Sequence, residues 1–272
     1  MLTRLLTALV LVPLALAAVF YLPPDGFAVL MAVCLGIGAW EWGGFMRIAM
    51  SMRVVYLLLN LAGFMGLWWL RDDHSLRMLL LAIAALWWLA ALIWIVLYPR
   101  GLPEAAPKTT LKWLIGLLTL QPAFLAMCYL QSMGDNGALR LLSLLVIIWS
   151  ADTGAYFAGR RFGKNKLAPR VSPGKTWEGV MGGLACSALM ALLGAWYVFG
   201  LGGVAATSFV LLGVLIACIS VVGDLSESMF KRHAGVKDSG HIFPGHGGML
   251  DRMDSLTAAA PCFLLGLLLL QI

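Results

Sequence analysis

The stretch Gly223-Asp224-Leu225-Ser226-Glu227-Ser228-Met229-Phe230-Lys231-Arg232 leaves an apolar run without a helix breaker, and the first stop signal after it is Gly235. On a helix that continues to about His233, Asp224, Glu227, Ser228 and Lys231 fall at i, i+3, i+4 and i+7 and share one face. A solvated amphipathic helix end accounts for charge at such a place. It does not account for two carboxylates, a hydroxyl and an ammonium mixed on one stripe. Leu250-Asp251-Arg252-Met253-Asp254-Ser255 opens the next apolar run, with Asp251 and Asp254 on one face of its first turn. The helix dipole tolerates carboxylates there. The chemical reading is a hard-cation site, because Mg²⁺ takes oxygen ligands, typically one or two carboxylates with phosphates and water. Asp224 and Asp251 are expected to converge on one ion from neighbouring helix ends, with Asp254 or Glu227 assisting a second.

Between these runs lies Val236-Lys237-Asp238-Ser239-Gly240-His241-Ile242-Phe243-Pro244-Gly245-His246-Gly247-Gly248, too rich in Gly to span a membrane as a helix. Gly lets backbone N–H groups approach a ligand, and successive N–H groups cradle anions. Gly247 and Gly248 are candidates for that role, with Lys237, Asp238 and His246 as charged or protonic partners. A second polar region begins inside an apolar run at Trp149-Ser150-Ala151-Asp152-Thr153-Gly154-Ala155-Tyr156, and an ionisable Asp152 at such a place is a functional candidate. After Arg160, Arg161, Lys164 and Lys166 comes Val171-Ser172-Pro173-Gly174-Lys175-Thr176-Trp177-Glu178-Gly179. It suggests a P-loop ending, but the required earlier Gly is Pro169. No strand is expected here. Ser172, Lys175 and Thr176 are read as a Pro-shaped phosphate binder at a helix start; positive-inside topology alone explains the lysines but not this arrangement.

The elements that must position these groups follow from composition. Of 272 residues, 61% are hydrophobic and 12% charged, about half the charge of a soluble domain at roughly 25%; the mean hydropathy is +0.91. A bilayer solvates such a surface. Nine apolar runs are long enough to cross it, at about 5–24, 26–46, 54–70, 78–99, 113–133, 141–159, 179–199, 204–223 and 255–271. The first continues past Ala15–Ala18 through Tyr21 and Leu22, too long for a signal-peptide core, and is expected to be retained. The fold class is therefore all-α, a polytopic integral membrane protein. With the N-terminus inside, only Arg71, Arg77 and Arg140 of the 19 Lys and Arg face outward, which sets N-in, C-out. Both polar loops, 160–178 and 224–254, then face the cytoplasm. The net charge of +6 reflects this bias, and no basic run with interleaved aromatics points to nucleic acid. Residues 1–140 read as a transmembrane scaffold and 141–272 as a catalytic transmembrane region. Within the scaffold, Glu41 lies between Trp40 and Trp42; it either stays wet at the end of its run or lines a cavity. Cys34, Cys128, Cys186, Cys218 and Cys262 all lie in apolar runs, without metal-ligand spacing.

The run Ser226-x-Ser228-x-x-Lys231-Arg232, Lys237-Asp238, then Pro244-Gly245-His246-Gly247-Gly248-x-x-Asp251-Arg252-x-Asp254-Ser255 resembles the signature of phosphatidate cytidylyltransferases, also called CDP-diacylglycerol synthases. Trp149–Tyr156, Ser172–Gly179 and Glu41-Trp42-Gly43 resemble stretches of the bacterial members, so the likeness covers essentially the whole chain. It implies a multi-pass enzyme of the bacterial inner membrane, N-terminus cytoplasmic and C-terminus periplasmic. The implied reaction is attack of a phosphatidic acid oxygen on the α-phosphorus of CTP, with pyrophosphate leaving. The implied cofactor is Mg²⁺, with room for a second, monovalent cation such as K⁺, and a homodimer is compatible with the family.

Set on the residues, the metal falls to Asp224 and Asp251, assisted by Asp254 and Glu227. The CTP phosphates fall to Lys164, Lys166 and Lys175 with Ser172, Thr176 and Asp152 nearby. The lipid phosphate or leaving pyrophosphate falls to Lys231, Arg232 and Lys237, with Ser228, Gly247, Gly248 and Arg252. Asp238, His246 and Asp254 are proton or metal partners. Two other readings stand beside this one: a transporter with an ion path through Asp152 and Glu41, and a cytidylyltransferase for another lipid phosphate. The CDP-alcohol phosphotransferase pattern is missing, since Ser255-Leu256 follows Asp254.

Overall fold

The computed structural model of the chain describes residues 2–98, 108–243, 245 and 247–272, with side chains from residue 9 onward. Among these residues the helices are α1 (Leu2–Tyr21), α2 (Pro24–Met46), α3 (Met50–Trp69), α4 (His74–Leu97), α5 (Thr109–Ser132), α6 (Gly137–Phe162), α7 (Trp177–Tyr197), α8 (Gly203–Ala234) and α9 (Leu250–Leu270). Eight of them, α2 to α9, are long and apolar enough to cross a membrane, and α1 carries a shorter apolar stretch, Leu9–Tyr21. The all-α polytopic architecture is thus borne out. Its cause is general: in hydrocarbon every backbone N–H and C=O must be paired within the chain, and a helix does this locally.

Leu58, Leu86, Val204 and Leu211 stay exposed on outer helix faces, where lipid takes the place of a protein core. Inside, polar side chains tie helices together. Trp42 Nε1 donates to the carbonyl of Lys112 at 2.9 Å, and Lys112 Nζ donates to the carbonyl of Phe45 at 3.0 Å, so α2 and α5 hold each other twice. Helices α6 and α7 approach through small residues. A Cβ on Gly154 would stand 2.7 Å from the Gly182 carbonyl oxygen, and one on Gly183 would stand 2.6 Å from that of Ala151. This close approach fixes Asp152 of α6 beside the start of α7.

The link between α6 and α7 corrects the expectation that it contains no strand. Lys166–Ala168 (β1) and Ser172–Thr176 (β2) form an antiparallel hairpin, with Lys166 opposite Thr176 and Ala168 opposite Ser172. Strands this short, interrupted by Pro173 and Gly174, carry no alternation to read, and an isolated hairpin is marginal in water. Here the neighbouring helix holds it. Glu178, in the first turn of α7, accepts from Lys164 N at 3.1 Å, Asn165 N at 3.2 Å and Asn165 Nδ2 at 2.7 Å.

Helix α8 runs on past the apolar segment as expected and stops at Gly235, whose φ of 68° is left-handed, with Val236 N donating to Lys231 O at 3.0 Å. Arg47, which caps α2, donates from Nη2 to Ala234 O at 2.7 Å, so α2 and α8 end at one level. Leu250 does not. A Cβ on Gly38 would meet Leu250 Cδ1 at 3.3 Å, and Gly38 lies about 12 Å below the end of α2 at 1.5 Å per residue. The segment after Gly235 therefore turns back into the bundle before α9 begins. Irregular backbone at such depth persists only where protein or a water-filled cavity satisfies it.

Candidate active site

Three elements bring charged groups together at the recessed start of α9. From the hairpin, Lys175 Nζ stands 2.6 Å from Asp224 Oδ2, with the two side chains 25% and 31% exposed. On α8, Ser228 Oγ donates to Asp224 Oδ1 at 3.3 Å. One turn on, Lys231 Nζ lies 3.4 Å from Glu227 Oε1 and 2.6 Å from Asp251 Oδ1. The stripe expected from the sequence is formed, and Lys231 joins it to α9. Gly223 makes the helix crossing possible: a Cβ there would come within 2.6 Å of the Asp254 carbonyl oxygen.

The other oxygen of Asp251, Oδ2, accepts from Ser239 N, Ser239 Oγ and Gly248 N, each at 2.8 Å. Glu41 lies behind this group. Its Oε2 accepts from Leu250 N at 2.8 Å and lies 3.0 Å from Ser239 Oγ, while Oε1 accepts from Met249 N at 3.0 Å. Glu41 is buried, so it is neither a wet interface group nor a free cavity liner. It is a cap for the N–H groups that begin α9, delivered from α2. Gly240 and Gly248 pass over it, and a Cβ on either would collide with its carboxylate. Ser239 and Glu41 are the site residues that sequence reasoning left unassigned. The available signals were a lone carboxylate inside an apolar run and a hydroxyl in the Gly-rich stretch.

Asp152 has Lys175, Asp224 and Arg252 as its charged neighbours. It lines a cavity of about 380 Å³ between α6, α7 and α8, whose rim also carries Tyr156, Arg160, Lys175 and Thr176. Thr176 is largely spent on structure: its Oγ1 accepts from Gly179 N at 3.2 Å and caps α7. Ser172 is half-buried in β2 opposite Ala168. Arg232 reaches Val171 O with Nε at 3.4 Å and braces the hairpin on α8. Lys164, Lys166, Lys237 and Asp238 are exposed. Gly247 sits between the side chains of Asp238 and Asp251, and His246 lies outside the described residues.

Among the described residues no group of three or more His, Cys, Asp or Glu side chains is disposed to hold a metal ion by itself. Asp224 and Asp251 are each engaged by a lysine rather than by each other. The donor set nevertheless fits a hard cation completed by phosphate and water. Both oxygens of buried Glu227 lack a hydrogen-bond donor, and Asp254 faces it across a cavity of about 10 Å³, also bounded by Thr119, Ser226 and Thr257. The carboxylates Glu41, Asp152, Asp224, Glu227, Asp251 and Asp254 outnumber the cations among them, Lys175, Lys231 and Arg252. Of the six, Glu41 and Glu227 are buried and Asp152 is exposed; a further cation would offset the excess of carboxylates.

The chain has relatives along nearly its whole length. The chain is 39% identical over 276 residues to the phosphatidate cytidylyltransferase of Haemophilus influenzae, covering 96% of each chain. It is 42% identical over 284 residues to that of Pseudomonas aeruginosa, covering 96% of this chain and 94% of the relative. With the enzyme of the same name from Brucella suis it shares 47% identity over 129 residues, 47% of each chain. The sequence model of the cytidylyltransferase family matches residues 2–270, and the chain belongs to that family.

Proposed function

We infer that this protein transfers the cytidylyl group of CTP to phosphatidic acid, forming CDP-diacylglycerol and pyrophosphate. The observation that carries the reading is the recessed lysine–carboxylate cluster of Lys175, Asp224, Lys231 and Asp251, set in an otherwise apolar bundle. Relatives named phosphatidate cytidylyltransferase, aligned along 96% of the chain, support it.

The reaction needs no side-chain nucleophile. A phosphate monoester already carries an anionic oxygen near neutral pH, and that oxygen attacks the α-phosphorus of CTP as pyrophosphate leaves. Two polyanions must meet, so positioning and charge neutralisation dominate the barrier. Lys175, with Lys164 and Lys166 on the same hairpin region, holds the CTP phosphates at the mouth of the 380 Å³ cavity. Asp224 keeps the Lys175 ammonium aimed at that mouth. Lys231, Arg252 and the exposed Arg232 and Lys237 face the lipid phosphate and the leaving group. Gly247 and Gly248 let the chain approach these anions, with Asp238 as a proton partner; the same role is proposed for His246 from its residue type alone.

Asp224, Glu227, Asp251 and Asp254 are the residues that would hold Mg²⁺. Bound there, the ion would neutralise phosphate charge and polarise phosphorus. A monovalent cation at the Glu227–Asp254 side is the companion proposal. The positive-inside distribution of Lys and Arg supports a cytoplasmic N-terminus and a site that opens toward cytoplasmic CTP in a bacterial inner membrane.

The test is incorporation of radiolabelled CTP into lipid by detergent-purified protein. Label in CDP-diacylglycerol with release of pyrophosphate is the expected result, and no labelled lipid with phosphatidic acid present would overturn the assignment. Competition between phosphatidic acid and an ether-linked lipid phosphate decides between acceptors.

A further inference from the structure

A second cavity, about 280 Å³, lies between α1, α2, α5, α6 and the first turns of α9. Its walls are carbon and sulfur: Leu11 and Ala15 from α1, Cys34 from α2, Leu145 from α6, and Phe243 from the loop that turns back into the bundle. Arg252 is the one charged residue among those that line it. The cavity is open along α1, where Leu14 is exposed, and water would find too few polar partners on its lining. The small side chains of Ala15, Ala18 and Cys34 keep the space open rather than closing it.

Arg252 links this chamber to the reaction centre. It follows Asp251 directly, and Asp152 counts it among its charged neighbours. It is exposed and makes no ion pair within 4 Å among the described residues. It lies in the first turn of α9, whose first residue, Leu250, packs on Gly38 about 12 Å below the end of α2. Its guanidinium is exposed, and the planar fork suits a phosphate. Below the phosphate of a diacyl lipid hang acyl chains, and the chamber begins where the guanidinium stands.

We propose that this chamber receives one acyl chain of the phosphatidic acid acceptor while Arg252 engages its phosphate. The inference rests on phosphatidic acid being the acceptor and adds the place where its tail is held. Lipid thus approaches from the α1 and α9 side, while CTP enters at the hairpin between α6 and α7.

The test fills the chamber from two independent walls, with Ala15→Phe on α1 and Cys34→Phe on α2, neither of which touches the charged cluster. Purified variants are assayed with dioleoyl and with dihexanoyl phosphatidic acid. The expected result is a fall of about 10-fold in kcat/KM for the dioleoyl lipid, the scale of lost contacts in an apolar pocket. The dihexanoyl lipid and the KM for CTP should stay within about 2-fold of wild type, and the retained short-chain rate shows an intact fold. Equal rates with both lipids, or an equal loss with both in protein that elutes as wild type does, would overturn the chamber. Wild-type protein that labels no lipid would instead sink the acceptor assignment itself.

Discussion

The carboxylate of Glu41 on α2 accepts the backbone N–H of Leu250, the first residue of α9, at 2.8 Å and across 209 positions of sequence. Through the same carboxylate it holds Met249 N and Ser239 Oγ, and Ser239 in turn holds Asp251. Hydrogen bonds to a charged group contribute about 1.5–3 kcal/mol each. Glu41→Ala should therefore displace Asp251 and lower kcat about 100-fold, the scale of a 1 Å misplacement, with the KM for CTP little changed. Glu41→Asp should recover part of the loss. Glu41→Gln should recover less, because an amide NH₂ would face backbone donors. Steady-state kinetics on the three variants check this, and a wild-type kcat for Glu41→Ala would remove Glu41 from the positioning of Asp251.

Lys231 sits between Glu227 and Asp251 with its side chain 11% exposed. Removing one partner of a buried ion pair costs about 3–5 kcal/mol, since the remaining charge is left uncompensated. Lys231→Met is expected to lower the thermal unfolding midpoint in detergent and to abolish turnover, with Lys231→Arg intermediate in both. An unchanged midpoint would mean that water or another cation already balances the two carboxylates.

The Lys175–Asp224 pair is more exposed, and such pairs contribute about 1 kcal/mol or less to stability. Lys175→Ala should therefore leave the unfolding midpoint nearly intact and act on substrate use. Its KM for CTP should rise by about 10-fold, the worth of one charge-assisted contact. A KM change confined to phosphatidic acid would exchange the roles assigned to the two loops.

Asp251→Asn keeps the size of the side chain but removes its charge. Turnover should fall by at least about 100-fold, with the protein still eluting as wild type does. EDTA should abolish wild-type activity, and added Mg²⁺ should restore it. Full turnover in excess chelator would remove the cation from the reaction.

The proposed orientation has its own check. Asp72→Cys, between α3 and α4, should react in intact cells with a membrane-impermeant thiol reagent. Gly174→Cys, in the hairpin, should react only after permeabilisation. The reverse pattern would invert the topology.

Local periodicity made much of this protein legible without coordinates. Asp224, Glu227, Ser228 and Lys231 lie on one face because a helix repeats every few residues, and Gly235 ends that helix because its left-handed φ suits glycine. The membrane-spanning class follows from composition and run length alone. The hairpin was not legible, because its strands are short, proline-interrupted and held by Glu178 from the next helix. Glu41 was visible as an oddity, but its task depends on a segment that arrives from the far end of the chain.

The sequence by itself thus determined which side chains are available for phosphate and cation chemistry and that they stand at helix ends in a bilayer, since both are properties of neighbouring residues. Only the tertiary structure decided that Lys175 meets Asp224, that Lys231 meets Asp251, and that the chain after Gly235 turns back to be capped by Glu41. Those pairings are set by how α2, α6, α8 and α9 pack through small residues. That packing is a choice among whole-bundle arrangements, and no local window of sequence contains it.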